Sequence, residues 1–365
     1  MKKMMYLSNV AWSWIKQRPQ FLAEELSVYY NIDVYVKKEY KPNVTKENNL
    51  LSNIKLKELF RLPMERYNII SMINKNIIGK QLARACENYD IIYLTDPSFY
   101  PWINKQCKNK KLIYDCMDDN IEFPYIKNNS YKLKSYLNAE EMLIKNCDLL
   151  ITSSEYLNHI LRKRYPSISL SNKSIVVNNA IDGNTIQIAK CNYIPKKEQD
   201  VFNAIYIGTI DSWFDFDLVI KSLNQFPNLI YNLYGPSGIK IPSHERLIWH
   251  GPIEHKDITR IMQLADILVM PFKLTPLVLS VNPVKLYEYI SSLKEVISVD
   301  YAETRKFNNY IHLYKTPDDY MKIIQQIMNN NIDTDKDISK IEKFLSENTW
   351  KKRAKYIFMS IEGEA

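Results

Sequence analysis

Apolar and polar positions follow two alternating rhythms along this chain. Short apolar runs bounded by polar or turn residues read as buried strands, and stretches with apolar residues three and four apart read as helices. In the first half the strand-like runs are 4–10 (MMYLSNV), 32–37 (IDVYVK), 90–97 (DIIYLTDP), 111–119 (KLIYDCMDD), 148–154 (DLLITSS) and 174–182 (SIVVNNAID). Helical patterns lie near 18–30, 74–88, 136–147 and 154–165. The second half repeats the rhythm, with strands at 203–210, 229–237, 246–253, 266–273 and 295–301. Its helices are expected near 215–225, 255–265 and 283–292, with more after 317. Strands alternating with helices predict α/β architecture with parallel sheets. The polar stretch KCNYIPKKEQD (190–200) breaks the pattern once and reads as a linker. The expected organisation is therefore two doubly wound domains, 1–188 and 201–345, joined by a linker at 189–200. A terminal amphipathic helix within 346–365 is expected to pack back on the first domain.

Composition narrows the class. At 365 residues the chain is long enough for two cores. Its 46% hydrophobic and 25% charged residues are ordinary for a globular protein, and no apolar run is long enough to span a bilayer. The opening MKKMMYLSNVAWSW lacks a long apolar core and a cleavage site, so it reads as a first strand rather than a signal peptide. The five cysteines, Cys86, Cys107, Cys116, Cys147 and Cys191, are odd in number and never in C-x-x-C spacing. Reduced thiols and a cytoplasmic location are expected.

The net charge of +8 is uneven. Residues 1–185 hold 27 Lys+Arg against 19 Asp+Glu, and the remainder holds 22 of each. A basic half suits an anionic partner such as a phospholipid surface or a lipid-linked pyrophosphate, although AT-rich codon usage also yields surplus surface lysines. Nucleic acid is not expected, because no recognised module interleaves aromatic and basic residues.

Glycine is scarce, with seven in the chain. Gly208, Gly235, Gly238 and Gly251 fall at the ends of three successive predicted strands, where open α/β sheets bind ligands. Ordinary turns would explain each one separately. No G-x-G-x-x-G occurs, so a dinucleotide fingerprint is absent.

Residues 280–290, SVNPVKLYEYI, pose a sharper question. Asn282 suits a cap and Pro283 a first helical position, which puts Lys285 near N3. A cation there opposes the helix dipole by roughly 0.3–1 kcal/mol. An anion bound at the helix start reverses that sign, because free N–H groups, dipole and ammonium then act together. Glu288, three residues on, suits hydroxyl groups such as a ribose; an exposed Lys–Glu pair is the plain alternative.

Asp115, Asp118 and Asp119 crowd one strand end, where like charges raise one another's pKa and favour proton acceptance. The alternative is that one caps the next helix and the others are solvated. The D-x-D at 215–217 precedes a helix and reads as a cap rather than a metal site. None of the five histidines has metal-ligand spacing, and no metal or other cofactor is expected.

The ordered series YIGTI (206–210), NLYGPSG (232–238), IWHGPI (248–253), HKDITRIMQLADILVMPF (255–272) and NPVKLYEY (282–289) resembles the C-terminal domain of GT-B glycosyltransferases of the broad family-4-like group. WSWIKQRPQFLAEEL (12–26), LIYDCMDD (112–119), CDLLITSSEYL (147–157) and NNAID (178–182) fit the N-terminal half, and the first two of these look most like transferases of bacterial surface polysaccharide, of teichuronic acid or capsule type. The resemblance implies two Rossmann-like domains facing across a cleft, the first binding acceptor and the second the donor. It implies sugar transfer from a nucleotide diphosphate-sugar, UDP-sugar favoured, to a cell-surface polysaccharide or lipid-linked glycan precursor. The reading places the protein in the cytoplasm at the inner face of the membrane, with peripheral contact to anionic lipid.

By the same resemblance Lys285 holds donor phosphate and Glu288 the ribose. Gly208, Gly235, His250, Gly251, Ile253, Pro283, Val284 and Tyr287 fall with them in the donor site. Asp118 is the matching base by register and Asp119 the second choice. Asn9, Trp12 and Arg18 follow the first strand in the acceptor loop. Two departures stand out. Ser280 replaces the first Glu of the family's Glu-x7-Glu pattern, which leans toward inversion, and TIDSWFDFD is acidic where many relatives carry a basic pair. These losses motivate an alternative, a non-catalytic GT-B-like scaffold or binding protein in a glycan-assembly complex.

Overall fold

The computed structural model describes all residues except 13–15, 41–51, 65–66, 184–200, 330–335 and 365. The linker expected at 189–200 lies outside the described residues. The chain divides into two compact units, Met1–Asn178 with Trp350–Ala365, and Asn179–Thr349.

The first unit runs β1 (Lys3–Leu7), α1 (Arg18–Leu26), β2 (Asn31–Lys37), β3 (Ile54–Leu59), α2 (Asn68–Cys86), β4 (Ile91–Leu94), α3 (Tyr100–Ile103), β5 (Lys111–Cys116), α4 (Pro124–Lys127), α5 (Ser130–Asn146), β6 (Leu149–Thr152), α6 (Glu155–Arg164) and β7 (Ser174–Val176). Among the described residues its strands form one parallel sheet in the order β3-β2-β1-β4-β5-β6-β7. The central strands read as continuous apolar runs because helices cover both faces. Met5 and Leu7 of β1 join one core with Ile92, Leu94, Tyr114 and Leu150, closed by Ile78 and Leu82 of α2. Met4 and Tyr6 point to the other face and are equally buried. The strand order reverses between β1 and β4, so their carboxyl ends open a crevice at Ser8–Asn9 and Thr95–Asp96.

The second unit runs β8 (Phe202–Ile207), α7 (Phe216–Gln225), β9 (Leu229–Tyr234), β10 (Leu247–Gly251), α8 (Ile258–Gln263), β11 (Ile267–Met270), α9 (Pro276–Ser280), α10 (Val284–Ser291), β12 (Glu295–Val299), β13 (His312–Tyr314), α11 (Pro317–Met328) and α12 (Ile338–Glu347). Its parallel sheet has the order β10-β9-β8-β11-β12-β13. Period-two alternation splits each central strand between two cores. Ala204, Tyr206, Ile267, Val269 and Ile297 pack with Tyr320 and Ile324 of α11. Ile205, Ile207, Leu268 and Met270 pack with Leu286 and Ile290 of α10. Here the order reverses between β8 and β11.

The last helix, α13 (Trp350–Glu362), belongs to the first unit and lies against α1. Trp350 stacks on Phe21 with ring centroids 5.2 Å apart, and Phe358 stacks on Tyr29 at 4.3 Å.

Two strands escape the periodicity reading. β3 (IKLKEL) is an edge strand whose charged residues keep that edge from pairing further. β13 has three residues, too few for a pattern.

Candidate functional site

In the first unit, α1 starts directly over the carboxyl end of the sheet. The Gln17 N–H donates to Gln20 Oε1 at 3.0 Å, closing the helix start, and Pro19 is tolerated in the first turn. This aims Arg18 inward. Its guanidinium forks Asp115, with Nη2 2.8 Å from Oδ1 and Nε 3.1 Å from Oδ2, and Nη1 donates to the Val177 carbonyl at 2.8 Å. Tyr93 donates its hydroxyl to Asp115 Oδ2 at 3.0 Å. Arg18 is 5% exposed and Asp115 fully buried, so this pair braces α1, β5 and the end of β7. The acceptor role expected for Arg18 from the loop pattern gives way to this buried one.

The three aspartates of the β5 end have separate fates. Asp119 is gripped by Arg164 Nη2 at 2.7 Å to both oxygens, and Arg164 Nη1 also holds Glu140 at 3.0 Å. Burial pushes the Asp119 carboxyl up while Arg164 pulls it back. An ion-paired, buried Asp119 fits a brace better than a base. The Asp118 carboxylate is half-buried and has no hydrogen bond or ion pair among the described residues. Burial pushes its pKa up to about 6; the Arg18 charge opposes this, and Asp119 and Asp115 add to it.

At the switch between β1 and β4, Asn9 Nδ2 donates to Asp96 Oδ2, and Asp96 Oδ1 accepts from the Ser98 N–H at 2.7 Å. Sequence reading missed Asp96; its signal was the Asp-Pro that ends the DIIYLTDP run. Trp12 is half-buried in the loop after β1. Tyr125, exposed at the start of α4, feels the charges of both Asp96 and Asp118.

In the second unit the glycines first serve the sheet. Gly208 N–H donates to the Tyr234 carbonyl and Gly235 N–H to the Gly251 carbonyl, each at 2.8 Å. Gly235 has φ +137°, and a Cβ there would lie 2.0 Å from the Gly208 carbonyl oxygen. Gly251, at φ +78°, faces open space. His250 stacks on Tyr234 at 4.4 Å and 7°, with Nε2 2.9 Å from Asn232 Oδ1, and burial lowers its pKa. Ile253 and Tyr234 both pack against the α10 core. Trp249, half exposed, donates Nε1–H to the Gly235 carbonyl at 2.9 Å, so an aromatic surface flanks the glycine turn.

α10 departs from the expected register by one residue. Pro283 is the N-cap and Val284 the first helical residue, so Lys285 sits at N2. Asn282 does not cap; it is buried, accepting from the Asn179 N–H at 3.0 Å and donating to Glu303 Oε2 at 2.9 Å. Among the described residues no side-chain cap hydrogen bond closes the helix start. Lys285 Nζ lies 2.6 Å from Glu288 Oε2, and both side chains retain exposed surface. Val284 is half-buried beside them. Tyr287 is 3% exposed and packed against Phe307 and Phe344, which makes it core rather than ligand surface. Ser280 is fully buried at the end of α9, its hydroxyl donating to the Leu277 carbonyl at 2.7 Å. Asp215 caps α7 through the Leu218 N–H at 3.1 Å, and Asp217 pairs with Lys273 at 2.9 Å.

Two doubly wound parallel sheets in tandem, with the chain returning to the first unit through its last helix, define the GT-B fold. Solved structures agree over the whole chain. Sucrose-phosphate synthase from Thermosynechococcus elongatus superposes with a TM-score of 0.75 at 13% identity, covering 100% of this chain and 99% of that one. Anabaena HepE, solved in complex with UDP-glucose, superposes with 0.69 at 14% identity, covering both chains fully. In sequence the chain is similar to TuaH of Bacillus subtilis (strain 168), whose name marks it as a candidate teichuronic acid biosynthesis glycosyltransferase. The two are 24% identical over 265 residues, 66% of this chain. The match spans 64% of TuaH's own length. No family model matches the chain. Among the described residues no helix is long and apolar enough to cross a membrane.

Proposed function

We propose that the chain is a glycosyltransferase that moves a sugar from a nucleotide diphosphate-sugar, UDP-sugar favoured, onto a cell-surface polysaccharide or lipid-linked glycan precursor. The observation that carries this reading is Asp118, a carboxylate at a sheet's carboxyl end with no hydrogen bond or ion pair among the described residues and a pKa raised to about 6. A base of that strength takes the proton from an acceptor hydroxyl near neutral pH as the oxygen attacks the anomeric carbon. The departing diphosphate needs positive charge, which the uncapped N–H groups of α10 and Lys285 supply without a metal. Lys285 then exchanges its contact with Glu288 for phosphate, and Glu288 turns to ribose hydroxyls. Trp249 and the stacked His250–Tyr234 pair offer flat faces beside Gly251 for the nucleotide base. The similarity to TuaH supports a surface-glycan acceptor, with the protein working in the cytoplasm at the inner membrane face.

A scaffold without catalysis is the second reading, favoured by the Lys285–Glu288 pair already closed on itself and by buried Ser280. Calorimetry with UDP and other nucleotide diphosphates separates the two. A transferase binds UDP, and Lys285→Ala weakens it at least tenfold while the melting temperature of the free protein stays within about 1 °C. Absence of nucleotide binding together with absence of turnover on any UDP-sugar would establish the scaffold.

A further inference from the structure

Asn282 stands one residue before the N-cap of α10. A residue of its type would ordinarily take that cap itself and let Pro283 begin the helix. It is fully buried and held elsewhere. Its Oδ1 accepts from the Asn179 N–H at 3.0 Å and from the Tyr287 hydroxyl at 3.4 Å, and its carbonyl accepts from Asn179 Nδ2 at 2.7 Å. Its Nδ2 donates to Glu303 Oε2 at 2.9 Å. A carboxylate only accepts, so Glu303 fixes which end of the amide faces it and leaves Oδ1 turned to Asn179.

The grip comes from the turn after β12. Tyr301 donates its hydroxyl to the Val281 carbonyl at 3.0 Å, so Tyr301 and Glu303 hold the α9–α10 connection at two neighbouring residues. That turn is itself closed. The Thr304 hydroxyl donates to the Val299 carbonyl at 2.8 Å and accepts from the Tyr301 N–H at 2.9 Å. Glu303 is fully buried, and Lys306 Nζ lies 2.8 Å from its Oε2. A charge kept at such depth is costly unless paired and hydrogen-bonded.

The effect is felt at the helix start. Among the described residues the N–H groups of Val284 and Lys285 have no hydrogen-bond partner, and the Leu286 N–H turns back to the Pro283 carbonyl at 3.1 Å. With Asn282 as the cap and Pro283 as the first helical residue, Val284 and Lys285 would be N2 and N3, the two groups a cap oxygen takes. Left open, the same groups attract an anion.

We propose that Glu303 is a positioning residue for the donor: by holding the Asn282 amide it keeps Asn282 from capping α10 and leaves the Val284 and Lys285 N–H groups to the diphosphate. The proposal rests on the glycosyltransferase reading for the identity of the anion, and adds to it the residue that keeps the site open.

The test is UDP binding by calorimetry to wild type, Glu303→Ala and the double variant E303A/N282A. Glu303→Ala releases Asn282 to cap, and the Kd for UDP should rise about fivefold, the equivalent of one cap. Removing the capping side chain as well should restore binding to within about twofold of wild type, because the two residues act through one contact. Lost packing alone predicts the opposite order, with the double variant weakest. Glu303→Gln keeps an acceptor for Asn282 Nδ2 and should bind UDP as wild type does. Should Glu303→Ala misfold, Glu303→Asp, one methylene shorter, takes its place in the same comparison. Hydrogen exchange gives a second measurement: UDP should slow the Val284 and Lys285 amides in wild type, and in Glu303→Ala they should be slow without it. Unchanged affinity in Glu303→Ala, or a double variant no tighter than Glu303→Ala, overturns this proposal alone. Wild type that binds no UDP overturns the donor reading together with it.

Discussion

Three neighbouring aspartates show how far residue type alone leaves chemistry open. Asp115 is buried under Arg18, Asp119 is clamped by Arg164, and Asp118 has no partner among the described residues. The sequence placed all three at one strand end and matched Asp118 by register. It could not show which was free, because the cations that decide lie 97 and 45 residues away. Asp118→Asn should lower kcat by about 10²–10⁴ with folding intact. Wild-type activity should rise with pH through about 6, as the carboxyl loses its proton. The folded pKa lies above the unfolded one, so stability is favoured below about pH 4 and falls as pH rises through about 6. Asp118→Asn should therefore melt higher than wild type at pH 7.5 and lose that advantage by pH 4. Arg18→Ala does the opposite: it strands a fully buried Asp115 charge, and urea unfolding should show a loss of about 3–5 kcal/mol.

Element boundaries were largely legible, since strand runs and helical spacing fall where the sheets and helices are. The differences have local causes. β1 ends at Leu7 because Ser8 turns to cap itself: its Oγ accepts from the Val10 N–H. α10 begins one residue late because buried Asn282 is held by Asn179 and Glu303 and cannot cap. The strand-end glycines separate on inspection of their surroundings. Gly235→Ala forces a Cβ into the Gly208 carbonyl at positive φ, and should cost about 3 kcal/mol or more by denaturant titration. Gly251→Ala meets open space and carries only the backbone cost, about 1–2 kcal/mol. Equal losses in the two variants would mean that the close approach of the Gly208 and Gly235 strand ends is not what demands glycine.

Over the whole molecule, the first unit is discontinuous in sequence. Trp350 is 2% exposed on Phe21, Ala354 and Ile357 are fully buried, and Glu362 receives the Tyr30 hydroxyl at 2.8 Å. Trp350→Ala should destabilise that unit by about 3–5 kcal/mol, seen as an earlier transition in calorimetry. Amphipathic spacing marked this helix in the sequence, and an expectation of where it docks came with it; which rings it meets did not. The chain by itself determined two α/β blocks, their strand rhythm, the glycine-marked strand ends and the Lys285–Glu288 spacing, because periodicity and i,i+3 geometry are local. Only the tertiary structure decided that Arg18 and Asp119 are braces, that Tyr287 and Ser280 are core, and that Asp118 has no partner among the described residues. Burial and ion pairing are set by residues brought together from distant parts of the chain, and no local pattern records them.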